Sequence, residues 1–166
     1  HGRERIDWKL ITDLPVRSGH EALEKLKWYS MRWKIETFHK ILKSGCKAEE
    51  SRLRTAQRLT NLIAVFCILS WRIFWMTMMN RSASNAPTKS VFSNSECKLL
   101  DALIPDLERD RGKKKSLSTY FTKIARLGGY LARAKDSPPG NIVIWRGMAR
   151  FTDLMLGFEA ASIVGN

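Results

Sequence analysis

The sequence predicts a mainly α-helical fold with one strand near its start. Three observations carry this. Apolar residues recur at helical spacing through most of the 166 residues, with capping residues where those runs begin. One short run, "IDWKLIT" (Ile6 to Thr12), alternates instead and is β-prone. Clusters of Ser, Pro, Asn and Gly separate the runs.

After the strand, "DLPVRSG" breaks the chain. Ser18 followed by Glu21 has the form of a capping box, which predicts a long helix from about His20 to Lys43. Ser44-Gly45 should end it, with Gly as the C-cap. A polar link carries Arg52, Arg54 and Arg58 into an apolar helix from about Leu59 to Asn80. "RSASNAPTKS" (Arg81 to Ser90) is loop-like. The expected organisation is therefore one region over 1–80, a linker over 81–94 and a helical region over 95–166. That last region starts with a short helix from about Ser95 to Ile104, followed by a basic link, "ERDRGKKKS". A helix in "LSTYFTKIARLGGYL" is interrupted at Gly128-Gly129, and "KDSPPGN" turns the chain. The final helix carries Trp145, Met148, Phe151, Leu154 and Met155 as its apolar residues.

Lys plus Arg outnumber Asp plus Glu by 29 to 16, a formal charge of +13 that favours a polyanionic partner. Cys46, Cys67 and Cys97 are odd in number and far apart, so neither a zinc site nor a disulfide framework is supported, and a cytoplasmic location fits best. The start, "HGRERIDWKL", has no signal-peptide character and no initiating Met, and the chain is expected to be cut from something longer. "LIAVFCILSWRIFWMTMM" (Leu62 to Met79) is nearly long enough to span a bilayer. Arg72 near its middle would cost roughly 2.5–3.5 kcal/mol there. A fully buried helix of a soluble domain is the expectation, with no membrane partner.

"YSMRWKIETFHKILK" (Tyr29 to Lys43) sets a single acid, Glu36, among five basic residues, counting His39. On a continuous helix turning about 100° per residue, Tyr29, Arg32, Trp33, Glu36, Lys40 and Lys43 share one face, while Trp28, Met31, Ile35, Phe38, Ile41 and Leu42 form the other. The basic residues of such a stripe suit phosphates, and the aromatics suit an unstacked base. Glu36 suits that surface if a divalent cation sits between carboxylate and phosphate. An ordinary ion pair with Arg32 or Lys40, four residues away on either side, fits the spacing as well. Glu36 and His39 also form an E-x-x-H, but a di-iron bundle needs two such copies plus two further Glu, and the sequence has only one copy.

The spacing Tyr29-x2-Arg32-x3-Glu36-x6-Lys43 resembles the Y-R-E-K signature of cut-and-paste bacterial DDE transposases of the insertion-sequence-four group. "RWKIETFHK", "SGCKAEESRL", the apolar helix with Arg72, and "IARLGGYL" are similar to the C-terminal part of that family's protein, in the same order. The resemblance implies the end of an RNase H-like α/β catalytic domain, a strand plus long helices, followed by a helical dimerisation domain. Glu36 would be the catalytic third carboxylate of the D-D-E triad and a ligand of Mg²⁺, or of Mn²⁺ in its place. The two Asp residues of the triad lie upstream in the family. Asp7 and Asp13 only flank the predicted strand, so this chain alone is expected to be inactive.

By the same resemblance, Arg32 and Lys43 grip phosphates near the transposon end, Tyr29 shapes that site, and Trp33 probes the duplex. Trp8 is similar to the tryptophan that stacks on a flipped base, although an ordinary strand residue fits its position too. Lys40 and Arg52 resemble further backbone contacts. The implied partners are double-stranded DNA, as transposon ends and target, and a second copy joined through the C-terminal helices. The implied setting is the bacterial cytoplasm, at the nucleoid. The chain departs from the family in a shorter connection before residue 95 and in the very basic "RGKKK". Two other functions fit the composition: a non-catalytic DNA-binding and dimerisation module, such as a truncated transposition inhibitor, and a basic helical RNA-binding protein.

Overall fold

The computed structural model describes residues 7–164, and these are mainly helical, with no strand among them. The helices are α1 (Gly19–Ser30), α2 (Trp33–Ser44), α3 (Ala56–Ser82), α4 (Asn94–Leu103), α5 (Leu117–Leu127) and α6 (Asn141–Val164). The chain divides into two compact units, one up to Lys34 and one from Ile35.

In the first unit, residues 7–18 run without regular structure up to α1. Ile6 lies outside the described residues, and the predicted strand is absent over the rest of its length. A strand persists only when its backbone groups pair with a neighbour, and no described segment pairs with this one. The cap of α1 is as expected on one side: Ser18 Oγ accepts from the Glu21 N–H at 3.2 Å. The return bond goes one residue further back, from the Arg17 N–H to Glu21 Oε2 at 2.6 Å. None of the described residues up to Lys34 is buried.

The long helix expected over His20 to Lys43 is two helices. The backbone turns at Met31–Arg32, where the Met31 N–H bonds to the Trp28 carbonyl and the Arg32 N–H to that of Tyr29, each at 3.0 Å. These are i→i−3 bonds, the tight form with which an α-helix closes its last turn.

The second unit is built round α5. Leu117, Tyr120, Phe121, Ile124 and Ala125 are buried at i, i+3, i+4, i+7 and i+8, so α5 presents one broad apolar face. It packs against α3, α4 and α6. Those helices contribute Ile73, Phe74 and Met76, then Leu99 and Leu100, then Ile144, Met148 and Phe151. From α2 only Ile41 is buried, with Phe38 packed beside it edge-on to Phe74. The apolar face expected along the whole helix is therefore docked over its second half alone; Ile35 is 51% exposed.

α3 also differs from expectation. It is long and apolar enough to cross a bilayer, yet only 28% of its most apolar stretch is buried. Its buried side is Ser70, Ile73, Phe74, Met76 and Thr77, while Ile68, Trp71 and Trp75 face outwards. It is a one-sided helix of the core, not a fully buried one. Arg72, at the middle of the run, forms an ion pair with Glu96, which also closes the capping box of α4 with Ser93. Cys46, after α2, sits against α3 with its thiol 3.4 Å from Ser70 Oγ.

Glycines set the helix ends and crossings. α2 ends at Ser44 and Gly45 follows as its cap, its N–H donating to the Ile41 carbonyl at 2.8 Å; positive φ falls two residues later, at Lys47. Gly45 is needed because a Cβ would come within 2.9 Å of the Trp145 ring. α5 stops at Gly128-Gly129, as read from the sequence, with Gly129 at φ +97°. Trp145, Met148, Phe151 and Met155 of α6 all belong to this unit's own core, leaving Leu156, Phe158 and Ile163 exposed further along.

Candidate nucleic-acid interface

In the first unit, Trp8 and Tyr29 come together although twenty-one residues separate them. Both line an apolar cavity of about 520 Å³ between the extended segment and α1. Leu14, Val16 and Trp28 line it too, with Lys25 as its cationic member. The Lys25 ammonium lies 3.9 Å from the centroid of the Trp28 ring, a cation–π contact, and also pairs with Glu24 at 2.8 Å. Trp8 is 70% exposed, so its π-face is open to a ligand. Arg32 places its guanidinium carbon 5.6 Å from the Tyr29 ring centroid. Lys25 and Trp28 were not singled out from sequence. The available signal was Lys25 standing three and four residues before two aromatics, which puts it beside both on a helix.

α2 begins at Trp33, which is 43% exposed. Glu36, Lys40 and Lys43 follow at i, i+4 and i+7 in the second unit, all exposed. The break at Met31–Arg32 removes the single helical wheel that joined Tyr29 and Arg32 to these three. It also gives Glu36 a local role, because a carboxylate in the first turn of a helix faces the positive end of the dipole. Glu36 is not a free carboxylate. Lys43 pairs with Glu49 at 2.7 Å, and that bond holds its pKa above the usual lysine value. Both partners are largely exposed, and such pairs contribute little, so Lys43 can exchange Glu49 for a phosphate. Arg52 is exposed on the link before α3.

Among the described residues, no three His, Cys, Asp or Glu side chains converge on a point that could hold a metal ion. One exposed carboxylate, with His39 a turn away, is a poor match for Mg²⁺, which seeks a near-octahedral set of oxygens. These residues by themselves do not fit the ion. What they offer is, in the first unit, stacking faces at Trp8, Tyr29 and Trp33 with the cation of Arg32, and, in the second unit, exposed cations at Lys40, Lys43 and Arg52.

No family model matches the chain.

Proposed function

We propose that the chain is a DNA-binding portion of a DDE transposase, engaging the ends of a mobile element. The observation that carries this reading is the cavity shared by Trp8 and Tyr29. An open cavity walled by aromatics and tipped with a lysine suits a base taken out of its stack. Base–aromatic stacking is worth roughly 1–3 kcal/mol per base. The exposed cations of the second unit, Lys40, Lys43 and Arg52, suit the phosphates of a duplex. The unburied apolar side chains of the first unit, Ile11 and Leu23 among them, are the kind of surface that an RNase H-like sheet covers. In a protein that also carries the two Asp residues, Glu36 would add the third carboxylate and a ligand for Mg²⁺ or Mn²⁺. Pairing of two copies through α6 would use its exposed Leu156, Phe158 and Ile163. The setting would be the bacterial cytoplasm.

The lone carboxylate of α2 also favours a second reading, a DNA-binding module with no chemistry of its own, as in a truncated inhibitor of transposition. The two readings part in one experiment. Glu36→Gln, placed in a protein with both Asp residues, should abolish cleavage of DNA ends while leaving their binding unchanged. Cleavage at the wild-type rate ends the catalytic role.

Binding by the chain itself is tested by titrating a labelled duplex end, and a structured RNA of equal length, across a salt series. Trp8→Ala should weaken DNA binding about 5- to 100-fold with an unchanged salt slope, because stacking releases no counterions. Lys40→Ala with Lys43→Ala should lower that slope by about 2, near 0.9 per phosphate contact. Tighter binding to the RNA would overturn the proposal.

A further inference from the structure

We infer a second phosphodiester-binding site on the second unit, in the polar cavity where the basic link meets the first turn of α5. It rests on the reading of the chain as a DNA-binding protein and extends the path of the DNA to a surface not assigned above. The cavity has a volume of about 310 Å³, and its walls include Lys113, Lys114, Ser84, Ser118, Thr122 and Asp110. Three features give it its chemistry.

The first is charge. Lys115 is taken up by Asp101 at 2.8 Å and Asp106 at 3.4 Å. Lys113 and Lys114 are exposed and form no ion pair with the described residues. Their charges are therefore available at the cavity. The second is the hydroxyl lining. The first backbone N–H groups of α5 are already used: Leu117 donates to the Ala86 carbonyl at 3.2 Å and Ser118 to that of Ser84 at 3.1 Å. The side-chain hydroxyls of Ser84, Ser118 and Thr122 are what remain to bond a ligand's oxygens. The third is rigidity. The link is tied down on both sides of the lysines, by Asp106 and Lys115 in one ion cluster and by a bond from Arg126 to the Pro105 carbonyl at 2.6 Å. A fixed backbone lowers the ordering cost of binding.

The ligand class follows from the lysines and hydroxyls together with the reading of the chain as DNA-binding. Two adjacent exposed cations can each meet one singly charged phosphate of a nucleic-acid backbone, and the hydroxyls of Ser84, Ser118 and Thr122 can donate to its oxygens.

The test uses the whole chain and a labelled duplex from about 50 to 200 mM salt. Lys113→Ala with Lys114→Ala should weaken binding roughly 10- to 100-fold and reduce the salt slope by about 2. Lys113→Arg with Lys114→Arg should retain wild-type binding. Lys89→Ala with Lys98→Ala removes the same charge from exposed positions elsewhere. An equal loss in that control means net charge alone is at work and overturns the site. If inorganic phosphate binds in the cavity while the double alanine variant keeps the wild-type DNA slope, the site takes small anions, and the diester assignment fails. If Lys40 and Lys43 matter and Lys113 and Lys114 do not, only this inference falls. If the wild-type chain binds no DNA, the proposed function falls with it. Thermal melting of each variant confirms that the fold is kept.

Discussion

Gly147→Ala is expected to lower the unfolding free energy of the second unit by about 3 kcal/mol, at the top of the usual range for overpacking a core. A fall of roughly 10 °C in Tm should accompany it. The cause is the closeness of α5 and α6. A Cβ on Gly147 would stand 1.9 Å from the Ile124 carbonyl oxygen and 2.8 Å from its carbonyl carbon. One on Gly128 would stand 1.9 Å from the Val143 carbonyl oxygen. Both obstacles are backbone atoms of the facing helix, so no rotamer change relieves them. The helices would have to part by about an ångström, since real Cβ contacts essentially never fall below 3.0 Å. A gap of that size forfeits a quarter to a half of each dispersion contact it opens. The contacts at stake include those of Phe121, Ile124, Ile144 and Met148, all buried in one core. Gly128→Ala should cost a similar amount, and the double variant clearly less than the sum, because one displacement relieves both clashes. Gly157→Ala gives the opposite sign. It lies in the same helix with nothing within 4 Å of its added Cβ, so it should stabilise by up to about 1 kcal/mol. Urea denaturation followed by circular dichroism measures all four. A Gly147→Ala protein that unfolds with the wild type would show that the two backbones are not in contact.

Those glycines mark the boundary of what could be read in advance. The cap of α1 was legible because it is local: Ser18 carries a hydroxyl that accepts the N–H three residues on, at Glu21. The stop at Gly128-Gly129 was legible for the same reason. Gly147 was not, because its need for a bare Cα comes from Ile124 on another helix. The break at Met31–Arg32 was hidden by residues that continue the helical spacing across it. The lost strand and the half-open α3 share one cause. Pairing and burial depend on what stands opposite, and composition records only that a segment is able to pair or be buried. At the candidate site, the exposure of Glu36, Lys40 and Lys43 followed from their spacing. The engagement of Lys43 with Glu49, and the cavity that unites Trp8 with Tyr29, required the path of the chain between them.

Lys123→Met is expected to cost about 3–5 kcal/mol at neutral pH, the usual penalty for removing one partner of a buried charge cluster. Lys123 has only 3% of its side chain exposed and faces two acids, Asp101 Oδ1 at 2.6 Å and Asp106 Oδ1 at 2.7 Å. The bond to Asp101 is a directed hydrogen bond; the contact with Asp106 is off that direction and mainly electrostatic. Burial pushes the Asp101 carboxyl up, but bonds from Lys115, Lys123 and Tyr120 outweigh it and hold the group below its ordinary value. Asp106 is held low chiefly by the Lys123 ammonium beside it. Lys115 is raised, first by its bond to Asp101. Depressed carboxylates contribute stability above their unfolded pKa near 4 and lose it as pH falls through their folded values. A raised lysine contributes below about 10.4 and loses that contribution as pH rises through its folded value. The wild-type unit should therefore have a flat stability plateau between about pH 5 and 9, falling on both sides. In Lys123→Met, Asp101 and Asp106 share one lysine instead of two, and protonating a carboxylate relieves the strain between them. The deficit relative to wild type should then shrink as pH falls from 7 towards 4, and denaturation at the two pH values measures it. A deficit that stays constant with pH would mean that Lys123 serves by filling space, and that the charge cluster contributes nothing to holding the basic link against α5.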